Sequence, residues 1–237
     1  MNWFRRKLYE LNMVMINLIS VIIMFQAISL TMIYLMEQIR NSDESTFIFL
    51  TTNENIVSLL LVPIFLFFIA LLISTYQEDV FIIRFKTRYK FWRSQSIKIV
   101  LSSFIFTSLY GITIGVYSLL LNLNFDENNI DNLFRLFLLF IGLTAVGLFF
   151  LFMKLFINQA ILIVMIIVGW FMSELFMVNP LRFFIWQMTL QETEKGNITT
   201  FILSSISLIC LCIFFYIVGS YIINKVSFIT KKIRSEE

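Results

Sequence analysis

The sequence contains no histidine, only two prolines and two cysteines, and few charged residues for its length. Without histidine, the chain lacks the most common general base, the most common zinc ligand and any Ser-His or Cys-His nucleophile pair. It also has no glycine-rich phosphate loop followed by lysine, which excludes an ATP site of the Walker type. No pair of carboxylates falls inside an apolar run, which argues against an intramembrane aspartyl protease. We therefore expect a protein that performs no covalent chemistry.

The composition is that of a membrane protein. Charged residues make up 14% of the chain, whereas a soluble domain has about 25%. A helical membrane span needs about 20 apolar residues, and β-barrel strands would appear as segments of about ten alternating residues. Six continuous runs reach the helical length, at roughly 13–36, 56–76, 97–121, 133–153, 157–177 and 199–223. The sequence therefore predicts one all-α polytopic domain over residues 1–237 with six transmembrane helices.

The distribution of basic residues predicts the topology. If the N-terminus is cytoplasmic, 14 of the 18 lysines and arginines fall on the cytoplasmic side, as the positive-inside rule requires. We therefore expect both termini in the cytoplasm and the chain in the cell membrane. The first run is too long for the apolar core of a signal peptide, about 7–15 residues, so we interpret it as a retained span. Topology and anionic lipid explain the net charge of +3, which gives no indication of nucleic-acid binding.

Two further segments suggest helices at the membrane surface. Residues 1–12 form an amphipathic pattern that suits an interfacial helix, or else simply begin the first span. On the outer side, Asn179 and Pro180 resemble a helix start and are followed by an apolar stretch that ends at Gly196. We expect a short helix dipping into the outer interface there, with an exposed loop as the alternative.

The most informative stretch is the basic connector, residues 77–98, between the second and third predicted spans. Its sequence is QEDVFIIRFKTRYKFWRSQSIK, in which six basic residues are interleaved with four aromatic ones after residue 83. The aromatic side chains would anchor in the interface while the charges face the cytosol. The connector is either a topological anchor or a docking element for a cytosolic partner.

Three residues inside the predicted spans stand out. Charged groups inside membranes are costly and often functional, and Glu174 is the one serious candidate. It either lines an outer cavity that receives a cationic group or reaches out to the interface. Gly111 and Gly115 are spaced four apart, which lets another helix approach closely, either within the chain or from a second copy.

With its amphipathic start, six spans and basic connector between spans two and three, the chain resembles the permease subunits of type-2 ABC exporters. The resemblance implies an N-terminal elbow helix at 1–12, a cytoplasmic coupling segment at 77–96 and a short outer helix before the last span. The residues that would serve the coupling segment are Glu78, Arg84, Lys86, Arg88, Tyr89, Phe91 and Trp92. The small size and the Phe-, Ile-, Asn- and Lys-rich composition are similar to permeases of low-GC Gram-positive bacteria, several of which export or expel antimicrobial peptides.

The resemblance also implies partners. Two permease chains, identical or different, would face each other above two separate ATPase subunits. Those subunits would carry ATP and magnesium, and this chain would hold no cofactor. The substrate would be an amphipathic peptide or a lipid-like molecule. The alternative is a self-standing membrane immunity or sensor protein that binds a peptide or partner without ATP, whereas the missing catalytic groups disfavour a membrane enzyme.

Overall fold

The computed structural model describes residues 54–74, 88–120, 129–157, 159–176, 187–189 and 198–225, and in these ranges the ordered elements are helices, without strands. Helix α1 comprises Glu54–Ile56, the π-helical turn Val57–Leu61 and Val62–Ser74. The remaining helices are α2, Arg88–Leu120; α3, Asn129–Met153; α4, Ala160–Phe176; and α5, Ile198–Lys225. The expected elbow helix at 1–12 and the first span at 13–36 lie outside the described residues, as does the chain after residue 225.

The described helices are those of a membrane protein. Four of them, α1, α2, α3 and α5, are long and apolar enough to cross a bilayer. Helix α4 has 17 residues, which gives a length of about 26 Å against a hydrocarbon core of about 30 Å. The predicted fifth span at 157–177 is therefore a shorter helix than expected.

A proline explains the irregular start of α1. Pro63 has no N–H group, and its ring clashes with the carbonyl of the residue four positions earlier, Leu59. The backbone widens just before it: the N–H of Val62 donates to the carbonyl of Val57, five residues back. The result is the π-helical turn Val57–Leu61, a type of irregularity that often marks functional sites.

Helix α3 lies at the centre of the bundle and contacts α1, α2, α4 and α5. It runs antiparallel to α2, since Gly111 of α2 lies against Leu136 and Ile99 lies against Gly147. Two glycines thus allow the close approach of α2 and α3.

Helix α5 runs parallel to α3. Phe134 stacks on Phe201 near the start of both helices, with 4.5 Å between ring centroids. Phe149 lies 5.1 Å from Phe215 near the other end. The start of α2, the end of α3 and the end of α5 consequently meet at one end of the bundle, which we call the basic end.

Small polar side chains in the bundle mostly bond to their own helix. The hydroxyls of Ser96, Ser103, Thr113 and Thr144 each donate to the carbonyl four residues earlier, at 2.7–3.0 Å. Such bonds remove the cost of burying a hydroxyl in an apolar environment.

Candidate functional site

The second half of the basic connector is the beginning of a membrane-crossing helix. Helix α2 begins at Arg88 rather than near residue 97, so residues 88–96 of the expected coupling segment belong to the same helix as the third span. Arginine and lysine favour helix, and their long stems allow the charge to leave an apolar environment. The expected coupling residues Glu78, Arg84 and Lys86 lie outside the described residues.

Trp92 lies inside the bundle and fastens α2 to α5. Its side chain is only 1% exposed, and its indole N–H donates to the carbonyl of Tyr216 at 3.1 Å. The indole ring occupies the space above Gly219, where an added Cβ would overlap it. The ring is thus committed to an internal contact, and its expected role in coupling to a cytosolic partner stays a prediction.

Tyr89, about one turn before Trp92, makes a second contact between α2 and α5. Its hydroxyl oxygen lies 3.3 Å from that of Tyr216, and its side chain is exposed. Phe91 is partly buried against the core. We refer to Tyr89, Trp92, Tyr216 and Gly219 as the Trp92 junction.

The basic end carries most of the described positive charge. Of the seven lysines and arginines in the described ranges, six belong to the first turns of α2 or to the ends of α3 and α5: Arg88, Lys90, Arg93, Lys98, Lys154 and Lys225. Lys225 lies over the ring of Tyr221, 4.3 Å from its centroid. By the positive-inside rule, this end is predicted to face the cytoplasm.

Two basic residues at the ends of α3 are buried rather than exposed. Arg135, in the second turn, and Lys154, just after the last residue, are each 8% exposed. Burial lowers the pKa of Lys154 to about 8, because the charged form loses solvation. Sequence reasoning gave neither residue a special role.

Glu174 lies within the packed helices. It is 2% exposed and belongs to the last turn of α4, where the indole N–H of Trp170 donates to its carboxylate at 2.9 Å. The ring of Trp170 meets Phe149 edge-on, with 5.4 Å between centroids. Phe149 lies near the basic end of α3, so Trp170 packs against that part of the bundle. The carboxylate is therefore enclosed by protein, and both its expected role in a cavity and its expected reach to the interface stay predictions.

A short piece of the connection between α4 and α5 returns deep into the bundle. Residues 187–189 are helical, and Gln187, Met188 and Thr189 are all buried. Met188 lies against Gly142, in the middle of α3, where an added Cβ would come within 2.8 Å of its terminal methyl. This part of the predicted outer helix is thus deeper than an interfacial position. Irregular backbone at this depth is tolerated only where protein or a cavity surrounds it.

Aromatic contacts join the Trp92 junction to Glu174. Tyr216 of the junction adjoins Phe215, whose ring contacts Phe149, which in turn contacts Trp170. We call Phe215, Phe149 and Trp170 the aromatic path. Its ring contacts run from α5 through α3 to α4 and end beside the buried carboxylate. Its connection to the Trp92 junction is that Phe215 directly precedes Tyr216 in α5.

The two glycines of α2 have different surroundings. A Cβ on Gly111 would lie 2.8 Å from the side chain of Leu136, whereas one on Gly115 would meet nothing within 4 Å. The close approach at Gly111 is therefore to α3 of the same chain. Within the described part of the chain, no cluster of three or more Cys, Asp or Glu side chains could hold a metal ion.

No protein-family model matches this chain, and neither a curated protein nor a solved structure is significantly similar to it. The comparisons therefore do not identify it as an ABC permease, and its function has to be argued from its own residues.

Proposed function

We propose that the chain is the membrane-spanning permease subunit of an ABC transporter. It would export or expel an amphipathic peptide or lipid-like substrate, driven by a separate ATPase subunit that binds ATP and magnesium. Two permease chains would pair in the cell membrane, with both termini of each in the cytoplasm. The observation that carries the proposal is the aromatic path, which links the helical end of the basic connector to Glu174.

The start of α2 suits a subunit that is driven mechanically. Because α2 begins at Arg88, a force on the connector would act directly on the first turn of a membrane-crossing helix. The Trp92 junction would pass that displacement to α5, and the aromatic path would pass it to α4. Closely packed contacts of this kind shift between discrete arrangements rather than deforming continuously.

The exposed residues of the first turns of α2 would contact the ATPase. Tyr89, Lys90 and Arg93 are exposed, whereas Trp92 would act from inside the bundle. Exposed ion pairs contribute only about 0–1 kcal/mol each. A tyrosine at the centre of an interface can contribute about 2 kcal/mol or more, so Tyr89 is the proposed anchor.

The test uses the full chain purified from its native membranes and reconstituted in vesicles. Wild type should retain an ATPase subunit and hydrolyse ATP. A Tyr89→Ala, Arg93→Glu variant should release that subunit, whereas Lys225→Ala, at the same end but on α5, should not. Trp92→Ala should keep the ATPase bound and lower transport per ATP hydrolysed. Absence of ATP hydrolysis in the wild-type preparation would refute the proposal.

The role of Glu174 in receiving a cationic group remains a prediction within this proposal. Glu174→Gln should change transport or resistance while the amount of protein in the membrane stays constant. Its matched control is Glu54→Gln, at the start of α1, which should transport as wild type does. Equal transport by wild type and Glu174→Gln would remove Glu174 from the mechanism.

The burial of Trp92 favours a second candidate, a self-standing immunity or sensor protein. With Trp92 committed to α5, the docking surface for an ATPase loses the one tryptophan among the expected coupling residues. A sensor needs only the internal link between the basic end and the bundle interior. The two functions separate in cells depleted of ATP, where a sensor would still bind its peptide and a transporter would stop moving its substrate.

A further inference from the structure

A groove lined by phenylalanine opens on the side of the bundle between α2, α3 and α5. Its volume is about 540 Å³, and its lining includes Phe104 and Thr107 of α2, Phe134, Phe137 and Phe140 of α3, and Phe201 of α5. This volume lies within the range of about 300–1,000 Å³ that is usual for small-molecule sites. The groove does not include Glu174 or the Trp92 junction.

Contacts between the rings fix the shape of the groove. Phe134 stacks on Phe201 at 4.5 Å, and Phe104 meets Phe140 nearly perpendicularly at 6.0 Å. Phe137 lies 6.3 Å from Phe201 and 6.4 Å from Phe140, and so bridges the two pairs. An occupant of this groove would therefore contact apolar side chains of α2, α3 and α5 at the same time.

The mouth of the groove is continuous with the apolar periphery of the membrane-crossing helices. Phe104 is 59% exposed and Phe137 46%, and beside them along the helices Leu101, Ile105 and Ile202 are also exposed. All of these residues belong to segments that can cross a bilayer. The surrounding medium is therefore lipid.

The depth of the groove selects hydrocarbon rather than a headgroup. Thr107 lies thirteen residues before Leu120, where α2 ends, so it is about 20 Å from that end. The ester and phosphate groups of a phospholipid lie near the ends of the spans, outside the hydrocarbon core. What reaches Thr107 from the bilayer is an acyl chain.

We propose that this groove is a binding site for one acyl chain of a membrane phospholipid. Inside a bilayer the hydrophobic effect does not drive such binding, because bulk lipid is equally apolar. The binding energy comes from dispersion contacts, which are individually about 0.1–0.2 kcal/mol but numerous in a groove with three walls. The inference is independent of the proposed transport function.

Thr107 distinguishes a hydrocarbon occupant from a polar one. Its side chain is buried and lines the groove, and its hydroxyl has no hydrogen-bond partner among the described residues. The hydroxyls of Ser96, Ser103 and Thr113, also on α2, each donate to a carbonyl of their own helix. A ligand with a carbonyl, such as a peptide, would use this hydroxyl, whereas an acyl chain would not.

The experiment measures phospholipid binding to the full chain after delipidation in mild detergent. Dioleoyl-phosphatidylcholine is titrated in, and native mass spectrometry counts the lipids bound per chain. Ser108→Phe fills the groove from α2 and should weaken the tightest binding step about tenfold. Phe137→Ala removes an exposed wall and should weaken it about threefold. Phe67→Ala, which truncates an exposed phenylalanine of α1 outside the groove, should bind as wild type does.

Equal binding by wild type and Phe137→Ala would overturn the proposal, even if Ser108→Phe failed to fold. Folding is checked by elution volume and thermal midpoint. Thr107→Val should bind the lipid at least as tightly as wild type, since it removes a hydroxyl that hydrocarbon cannot satisfy. Loss of binding in Thr107→Val would also overturn the proposal and would indicate a ligand with a hydrogen-bond acceptor, such as a peptide.

Discussion

Adding a single methyl group at Gly219 should break the contact between α2 and α5. The Cβ of Gly219→Ala would lie 2.9 Å from Cε2 of Trp92 and closer still to two other atoms of the indole. Carbon atoms in contact are normally about 3.5–4.0 Å apart. The indole ring therefore has to move by about 1 Å or more to reach an ordinary contact distance. Its hydrogen bond to the carbonyl of Tyr216 is then lost or lengthened.

The expected cost follows from three terms. Overpacking a well-packed site costs about 1–3 kcal/mol, and a hydrogen bond between membrane helices contributes about 0.6 kcal/mol. The higher helix propensity of alanine relative to glycine offsets up to about 1 kcal/mol of this loss. We therefore expect Gly219→Ala to lower the free energy of unfolding by about 1–3 kcal/mol.

The assay is thermal or denaturant unfolding of the purified chain in detergent, with Gly115→Ala as the matched control. A Cβ on Gly115, also within a membrane-crossing helix, meets nothing within 4 Å, so this variant should be as stable as wild type or slightly more stable. Trp92→Phe should partly rescue Gly219→Ala, with a coupling energy of about 0.5–3 kcal/mol in a double-mutant cycle. If Gly219→Ala unfolded like Gly115→Ala, or if the two substitutions were additive, the indole would not occupy this space.

Three further substitutions test other parts of the bundle. Gly142→Ala should destabilise the chain by about 1–3 kcal/mol, because its Cβ would meet Met188. Gly169→Ala, which has open space around it, should leave the stability unchanged. Equal unfolding of the two variants would show that residues 187–189 do not lie against Gly142. Trp170→Phe removes the indole that donates to Glu174 and should lower the free energy of unfolding by about 1–3 kcal/mol. The loss should be smaller when Glu174 is already replaced by Gln. An unchanged thermal midpoint would show that the hydrogen bond does not contribute to stability. Because burial lowers the pKa of Lys154 from 10.5 to about 8, the unfolded chain binds more protons between these values, and stability should rise with pH across that window. Lys154→Met should raise the thermal midpoint at neutral pH and remove this rise, whereas a midpoint whose dependence on pH matched wild type would exclude Lys154 as its source.

Continuous apolar runs predicted most described helices to within a few residues. The runs at 133–153 and 199–223 correspond to Asn129–Met153 and Ile198–Lys225. The prediction works because lipid requires the backbone to bond to itself, so a long apolar run has to be helical. It was less accurate where charge interrupts a helix. Helix α2 begins at Arg88, whereas the apolar run placed the start of the third span at 97, because the basic residues before it are not apolar.

The contacts of the candidate site could not be predicted from one sequence. Trp92 and Gly219 are 127 residues apart, and no local pattern connects them. The basic connector suggested that Trp92 was important, but its aromatic character fitted an interface as well as an interior. Glu174 was recognised by its charge, whereas its burial depends on where α4 ends. Met188 gave no signal, since a methionine in an apolar stretch suits many positions.

The irregular elements of the bundle occur where it buries polar groups. The π-helical turn Val57–Leu61 contacts α4, the helix that carries Glu174, and it buries Ser58 without a hydrogen-bond partner among the described residues. Residues 187–189 bring Gln187 to the interior. Regular apolar helices would be more stable in lipid, because each buried polar group costs free energy unless it is bonded. Stability alone therefore does not account for these elements, since buried polar groups inside membrane helices are often functional.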